Sequence, residues 1–316
     1  MTILDVESMK GNVILEMGPM NSSKSSVLVK YARALDHSRF GFAAFQAAMN
    51  KRDKNFIVAD GRERVPAIVI DQKNPVEILE HIKRLDLERK VDVVLIDEGN
   101  FYNYELVNVA KELRTQDRVV VIAGLNRNFR GEPYGYMREL AFEADIVNPH
   151  TSYCNMVTNG QPCSRPAIYT VRLLKVKTGN EEDKVDFRRA SDCEIILQKY
   201  YLAPYYHPTN YVEEEDEKKK KKKYKDVEYS CACSRCFHVP KQDLTLKVYR
   251  TIVDNPGIKL EKLFDAFENN PDLENIVDFF LNDEVIPRAD FINGALFPKK
   301  HIISPTLPGV YIKLNL

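Results

Sequence analysis

A chain of 316 residues with 46 basic and 46 acidic side chains has room for two domains, and its zero net charge gives no field to steer it toward nucleic acid or a membrane surface. No apolar stretch approaches the roughly 18 residues of a membrane span, and the N-terminus lacks the basic region and apolar core of a secretory signal. The six cysteines are therefore expected as thiols or metal ligands in a reducing, cytoplasmic setting.

The first expected element is the apolar run Val13-Ile14-Leu15-Glu16-Met17, and Gly18-Pro19-Met20-Asn21-Ser22-Ser23-Lys24-Ser25 follows it directly. Glycine, four residues, then Gly-Lys-Ser/Thr between a strand and a helix is the template of a phosphate-binding loop, whose backbone N–H groups wrap phosphates. Lys24 would reach the β- and γ-phosphates, and the Ser25 hydroxyl would hold Mg²⁺. Ser23 stands where the template has its second glycine, a residue that permits close backbone approach and unusual dihedrals. Helical spacing follows over residues 27–35, then strand-like runs at 42–45 and 67–70 and a helical pattern at 75–87.

Val91-Asp92-Val93-Val94-Leu95-Ile96 has the near-continuous apolar character of a buried parallel strand. It ends in Asp97-Glu98, at the strand end where open α/β sheets bind their ligands. Asp97 would complete the Mg²⁺ shell and Glu98 could take a proton from an attacking hydroxyl. The plainer alternative is that two carboxylates solvate a strand end. Residues 104–113 place Leu106, Val109, Ala110 and Leu113 at helical spacing, and 119–123 reads as a further strand. This alternation predicts an α/β nucleotide-binding domain over residues 1–147, with a parallel sheet covered by helices on both faces.

Residues 148–240 form a second part, rich in cysteine, tyrosine and charge. It includes Glu213-Glu214-Glu215-Asp216-Glu217 followed by six lysines, and about 176–226 is expected to be a solvated, disordered insertion. The adjacent acids neutralise the lysine run as a nucleic-acid contact. In the third part, residues 241–316, helical patterns at 246–253, 260–267 and 273–281 precede a hairpin over 291–297 with Asn293-Gly294 at its tip. Three helices and a hairpin resemble a winged helix, a shape that often binds DNA. Its candidate recognition helix carries Asp272, Glu274 and Asp278, which repel phosphates, so a protein-binding or structural role is expected instead.

Four motifs in order resemble the thymidine kinases of the compact, zinc-containing class. The family form Gly-Pro-Met-x-Ser/Ala-Gly-Lys-Ser/Thr is matched by residues 18–25, and Asp-Glu-x-Gln-Phe-Phe by Asp97-Glu98-Gly99-Asn100-Phe101-Tyr102. Gly-Leu-x-x-x-Phe-x-x-x-Pro-Phe-Gly is matched from Gly124-Leu125 through Phe129 and Pro133-Tyr134-Gly135, and Ala-x-Tyr-Thr-x-Arg-Leu by residues 167–173. The resemblance covers about residues 11–240, less the charged insertion. It implies ATP, Mg²⁺ and structural Zn²⁺, a deoxynucleoside substrate, and a dimer or tetramer of identical chains.

The family's two ligand pairs fall at Cys154 with Cys163 and at Cys233 with Cys236, where four thiolates would make a closed tetrahedral zinc site. The first pair is normally Cys-x-x-Cys, so the eight residues 155–162 imply a six-residue insertion in that knuckle. Cys231 competes with Cys233, but Cys233 alone puts Tyr229 in the family's Tyr-x-x-x-Cys-x-x-Cys. Cys193 fits no pattern and reads as a small apolar residue.

The resemblance also implies an apolar box for thymidine at Met20, Phe101, Leu125, Phe129, Tyr134, Thr170 and Tyr229, with aromatic walls to bury a planar base. The family's Val-Gly-Gly before the tyrosine is replaced here by Tyr224-Lys225-Asp226-Val227-Glu228. Arg52 fits an arginine used near the phosphates. The implied reaction is transfer of the ATP γ-phosphoryl group to the 5′-hydroxyl of thymidine, in nucleotide salvage for DNA synthesis. Loop residues Gly18, Pro19, Met20, Asn21, Ser22, Ser23, Lys24 and Ser25 with Asp97 would hold ATP and Mg²⁺, Lys24 would stabilise phosphate charge, and Glu98 would act as base. The alternatives are a catalytically inactive relative that keeps the fold, and a DNA-associated regulator acting through the third part.

Overall fold

A computed structural model describes residues 5–50, 55–59, 63–158, 161–175, 193–195, 200–207, 227–282 and 289–299. They fall into two compact units, one made of Met1–Thr170 with Tyr229–Phe237, the other of Val171–Glu228 with His238–Leu316. Arg52 and the acid-then-lysine block lie outside the described residues. Within the expected insertion, the short segments Cys193–Ile195 and Tyr200–Leu202 are strands.

The first unit is organised by β1 (Val13–Gly18), β2 (Gly41–Ala47), β3 (Phe56–Val58), β4 (Arg64–Pro66), β5 (Ile68–Ile70), β6 (Val91–Asp97), β7 (Val119–Leu125) and β8 (Ile146–Pro149). Its helices are α1 (Lys24–Asp36), α2 (Glu77–Leu85), α3 (Glu105–Thr115) and α4 (Met137–Glu143). The main sheet has the order β5-β2-β6-β7-β1-β8, and all its pairings are parallel. Strand side chains alternate between the two faces, which sorts the core into two halves. Val94, Ile96, Val120 and Ile122 pack with α2, α3 and α4, through residues such as Ile82, Val109 and Leu140. Val93, Leu95, Val119 and Val121 pack with Leu28, Val29 and Ala32 of α1 on the other face. A strand covered on both sides must be apolar at every position, and β7 is buried throughout.

Four elements escaped the sequence reading because they are short. The antiparallel pair β3–β4 offers three residues per strand, yet it sends Ile57 and Val65 into the α1 side of the core. β8 is Ile-Val-Asn-Pro, and α4 spans seven residues. No described helix is long and apolar enough to cross a membrane.

Beyond β8 the first unit continues as small antiparallel pairs: Ser152–Tyr153 with Pro166–Ala167, and Met156–Thr158 with Gln161–Pro162. Two longer strands, Tyr169–Lys175 and Val227–Ala232, run from one unit into the other.

The second unit contains α5 (Gln242–Asp254), a two-residue strand Ile258–Lys259, α6 (Leu260–Ala266) and α7 (Leu273–Asn282), then strands Ala289–Ile292 and Ala295–Pro298. The last strand pairs with both of the others, giving the three-stranded sheet and three helices of a winged-helix-like fold. Val248, Ile252, Leu263, Ile276, Phe280 and Leu296 are buried. Asn293 and Gly294 both have positive φ, 51° and 78°, as the tight turn of a two-residue hairpin requires. The Asp272 carboxylate accepts from Tyr206 Oη at 2.7 Å and pairs with Lys241 at 2.8 Å.

Candidate active site

β7 lies between β1 and β6, so the carboxyl ends of these three strands stand side by side. The loop after β1, the Asp97-Glu98 pair after β6 and Gly124-Leu125 at the end of β7 share one cavity of about 230 Å³. It is lined by Met20 through Ser26, with Asn50, Val58, Asp97, Glu98, Gly124 and Leu125. Asn50 and Val58 carry no motif that would have marked them.

The loop between β1 and α1 is turned by left-handed residues and closed by side-chain hydrogen bonds. Ser23 precedes α1 with φ 60° and ψ 25°, in the left-handed region, and its hydroxyl makes no capping hydrogen bond to the helix. The backbone thus has the conformation glycine would adopt freely, carried here by a residue with a Cβ. Asn21 is also left-handed, with φ 54°. Lys24 Nζ donates to the Pro19 carbonyl at 2.6 Å and to Ser22 Oγ at 3.2 Å, and Ser22 Oγ donates to the same carbonyl at 2.8 Å.

Ser25 Oγ donates to Asp97 Oδ1 at 3.1 Å. Two hard oxygen donors converging at the start of a helix suit Mg²⁺, which prefers one or two protein oxygens and keeps the rest of its shell for water and phosphate. Glu98 follows with φ 56° and ψ 41°, opening the turn Gly99–Phe101, and its N–H donates to Asp97 Oδ1 at 3.0 Å. Three non-glycine residues in the left-handed region around one cavity concentrate backbone strain where function is expected. Beneath the pair, Tyr102 is buried, and burial first, then the Asp97 and Glu98 charges, push its phenol far above the ordinary value.

Asn100 joins the two strand ends: its side-chain oxygen accepts from the Leu125 N–H at 2.8 Å. The loop after β7 closes around Asn128, whose side-chain oxygen accepts from the Arg130 and Glu132 N–H groups at 2.9 and 3.1 Å. Gly135 has φ +53°, and a Cβ there would sit 2.2 Å from the Asn100 carbonyl oxygen, so this contact needs glycine. Of the expected thymidine box, Met20 and Leu125 line the cavity, and Phe101 packs edge-on against Tyr134 at 5.8 Å. Phe129 is buried beneath the Arg130 guanidinium at 4.8 Å. Thr170 Oγ1 accepts from the Met20 N–H at 3.0 Å. Tyr229 is half-buried on strand Val227–Ala232.

The ligand atoms of Cys154, Cys163, Cys233 and Cys236 lie within 4.8 Å of one another, and Cys163 and Cys233 Sγ are 3.8 Å apart. Thiolates about 2.3 Å from a tetrahedral zinc stand roughly 3.8 Å apart, so the four sulfurs fit that ion. The Cys233 carbonyl accepts from the Cys236 and Phe237 N–H groups, forming a tight knuckle. Burial raises the Cys233 thiol, but N–H groups of Cys236 and Arg235 outweigh it and bring it down to about 7. Cys154 is pushed up, by burial first, with the Cys233 charge adding to it. Clustered thiolates repel one another, and a cation among them would offset that repulsion. Phe237, next to Cys236, stacks on Tyr169 at 4.1 Å, and the Arg127 guanidinium covers the same tyrosine at 4.8 Å.

Two contacts had no reading in the sequence. Cys231, expected only as a rival zinc ligand, instead directs its Sγ to the Met20 carbonyl at 2.7 Å. Glu16, buried in β1, accepts from Asn148 at 2.8 Å and bonds His150 through its other oxygen. A lone acid inside an apolar strand was the available signal.

A family profile described as thymidine kinase matches residues 11–187, a segment that ends before Tyr229, Cys233 and Cys236. The thymidine kinase of Ureaplasma urealyticum serovar 10 is 28% identical over 175 residues, covering 55% of this chain and 75% of the relative. That of Mycoplasma genitalium is 28% identical over 174 residues, covering 55% and 76%. With the profile spanning more than half of the sequence, and a phosphate loop facing an Asp-Glu strand end in the fold, the chain belongs to the thymidine kinase family.

Proposed function

We propose that this protein transfers the γ-phosphoryl group of ATP to the 5′-hydroxyl of thymidine. The observation that carries the reading is the convergence of Lys24, Ser25, Asp97 and Glu98 on one cavity that Met20 and Leu125 also line. In the reaction the 5′-oxygen bonds to the γ-phosphorus, the bond to the β–γ bridging oxygen breaks, and ADP leaves. The hydroxyl proton goes to the Glu98 carboxylate. Lys24 and the loop amides would stabilise charge on the phosphates. Ser25 and Asp97 would hold Mg²⁺, which would offset the charge that develops on the phosphates.

Met20, Phe101, Leu125, Phe129, Tyr134, Thr170 and Tyr229 would enclose the nucleoside. Cys154, Cys163, Cys233 and Cys236 would hold zinc, which would serve to tie down the lobe that carries Thr170 and Tyr229. Cys154, Cys163, Cys231, Cys233 and Cys236 form no disulfide, which supports a reducing, cytoplasmic setting. A homo-oligomer and a protein-binding third part complete the proposal. Exposed Phe291 and Ile292 on the wing, rather than basic residues, support the latter.

A second reading, a nucleotide-binding relative without turnover, draws on Ser23, whose Cβ occupies the glycine position of the loop. One assay separates the two: γ-phosphoryl transfer by the purified chain across a panel of nucleosides, with ATP binding measured in parallel. Transfer with thymidine preferred is expected. ATP binding without transfer to any nucleoside would establish the second reading.

A further inference from the structure

We propose that Cys231 is a positioning residue for the phosphate loop, acting through the Met20 peptide groups. The proposal rests on reading the cavity as a nucleotide site. Cys231 Sγ donates to the Met20 carbonyl at 2.7 Å, while the Met20 N–H donates to Thr170 Oγ1 at 3.0 Å. Both backbone groups of one loop residue are therefore held by side chains of the cysteine lobe. The two holders come from adjacent segments, because the Ile168 N–H donates to the Ala232 carbonyl at 3.2 Å. Both are shielded from water: Cys231 is 0% and Thr170 2% exposed.

The position of this clamp gives it leverage. Met20 precedes Asn21 and Ser23, the two left-handed residues that turn the chain into α1. Fixing the peptides on either side of Met20 sets the direction in which that turn begins. It also divides the loop's donors. The Met20 N–H is engaged by Thr170, so the amides left to face phosphate are those from Asn21 onward. The thiol does not belong to the metal cluster, whose four members are Cys154, Cys163, Cys233 and Cys236. One cysteine-rich segment, the end of strand Val227–Ala232 and the knuckle after it, thus serves two purposes. Cys233 faces the cluster, and Cys231 two residues earlier faces the phosphate loop.

A thiol is a weak donor of modest size, so its role can be separated from packing by substitution. Cys231→Val fills the space without a donor, Cys231→Ala empties it, and Cys231→Ser keeps a donor in a smaller group. The full chain would be compared in three measurements: zinc content, hydrogen exchange of peptides covering residues 17–26 without nucleotide, and ATP affinity by calorimetry. All three variants should keep the wild-type zinc content. In Cys231→Val and Cys231→Ala the loop amides should exchange faster and ATP should bind about 2- to 10-fold more weakly, the effect of one neutral hydrogen bond. Cys231→Ser should stay near wild type in both.

Wild-type exchange in the valine variant, or a serine variant as impaired as valine, would overturn the clamp. Loss of zinc from any of the three would do so as well, by making Cys231 a ligand. Because exchange is read without nucleotide, a wild type that binds no ATP would defeat the functional reading and still leave the clamp decided.

Discussion

The phosphate loop and the cysteine lobe meet at Met20, yet they are held in shape by different forces. The loop springs from β1, flanked by β7 and β8 in a sheet whose core reaches zero exposure at Leu15, Leu95, Val121 and Ile122. Each such side chain contributes roughly 1.5–3 kcal/mol by leaving water. The lobe has paired strands of only two or three residues, and several of its buried apolar groups are the cysteines themselves. Segments that short bury little apolar surface of their own, and a metal on the four cysteines would supply the cross-link that the missing core does not. On the proposed reading, the site would have a rigid chemical half and a recognition half whose order would depend on a metal.

The largest expected effect lies in the rigid half. Glu98→Gln should lower turnover by roughly 10²–10⁴-fold, the contribution of a general base, with ATP affinity within about 2-fold of wild type. Calorimetry and steady-state kinetics on the same preparations would show this. Turnover comparable to wild type would remove Glu98 from the proposed role.

Next comes the lobe. Cys236→Ser should release zinc and lower the thermal midpoint by roughly 5–10 °C, since about 1 kcal/mol moves a domain of this size by roughly 2–4 °C. Nucleoside affinity should fall with it, because Thr170 and Tyr229 stand in the same lobe. The Met20 contacts add a consequence that motif spacing alone does not suggest: ATP binding should weaken too. Metal analysis with separate titrations of thymidine and ATP would show whether the halves are coupled. Zinc loss with unchanged ATP affinity would mean that they are not.

A smaller change should touch only the sheet. The Arg118 guanidinium grips Asp86 with two contacts, 2.6 and 3.2 Å, and the Val91 N–H donates to the same carboxylate at 2.8 Å. Burial works against the charge, but Arg118 and then the Val91 N–H outweigh it and hold Asp86 below the usual carboxylate value. A carboxyl lowered in the folded state adds stability that is fully present above its unfolded value, about 4, and lost as pH falls through the folded value. Asp86→Asn should therefore cost about 1–3 kcal/mol at pH 7, and the gap between mutant and wild type should narrow below about pH 4. Zinc content should not change. Urea denaturation across that range would test it, and a gap independent of pH would contradict the account.

Legibility in the sequence followed the same division. β6 and β7 announced themselves because strands buried on both faces must be apolar throughout, and the phosphate loop was visible from its place after such a strand. The small pairs β3–β4 and Ser152–Tyr153 with Pro166–Ala167 carry too few residues for any periodicity. Spacing next to a Cys-x-x-Cys made Cys231 a competitor that lost to Cys233, but its contact with Met20 had no signal, because the direction of its Sγ is a property of tertiary placement. The link from Met20 to Thr170 spans 150 residues and leaves no local trace. The winged-helix-like elements were readable from apolar spacing and from Asn293-Gly294. The two-residue strand Ile258–Lys259 was not, since it exists only through its partner Ala295–Pro298.

The smallest expected effect concerns Ser23. Its φ of 60° places an L-residue where the left-handed backbone costs about 1–2 kcal/mol. Glycine removes that cost but loses about 0.5–1 kcal/mol through the greater freedom of the unfolded chain, so Ser23→Gly should raise stability by at most about 1.5 kcal/mol. No cap is lost with the hydroxyl, because it makes no capping bond to α1. Nucleotide affinity separates two causes that stability does not. Backbone strain is present with or without phosphate, and by itself leaves the affinity of Ser23→Gly unchanged. A Cβ that obstructs the phosphates is felt only in the complex, and its removal should tighten ATP binding several-fold. The second outcome is expected, because Ser23 lines the cavity directly beside Lys24 and Ser25. Calorimetry with ATP and Mg²⁺ on both proteins, set beside urea denaturation, resolves the two. Weaker binding by the glycine variant would show that the serine belongs to the site and is no defect in it.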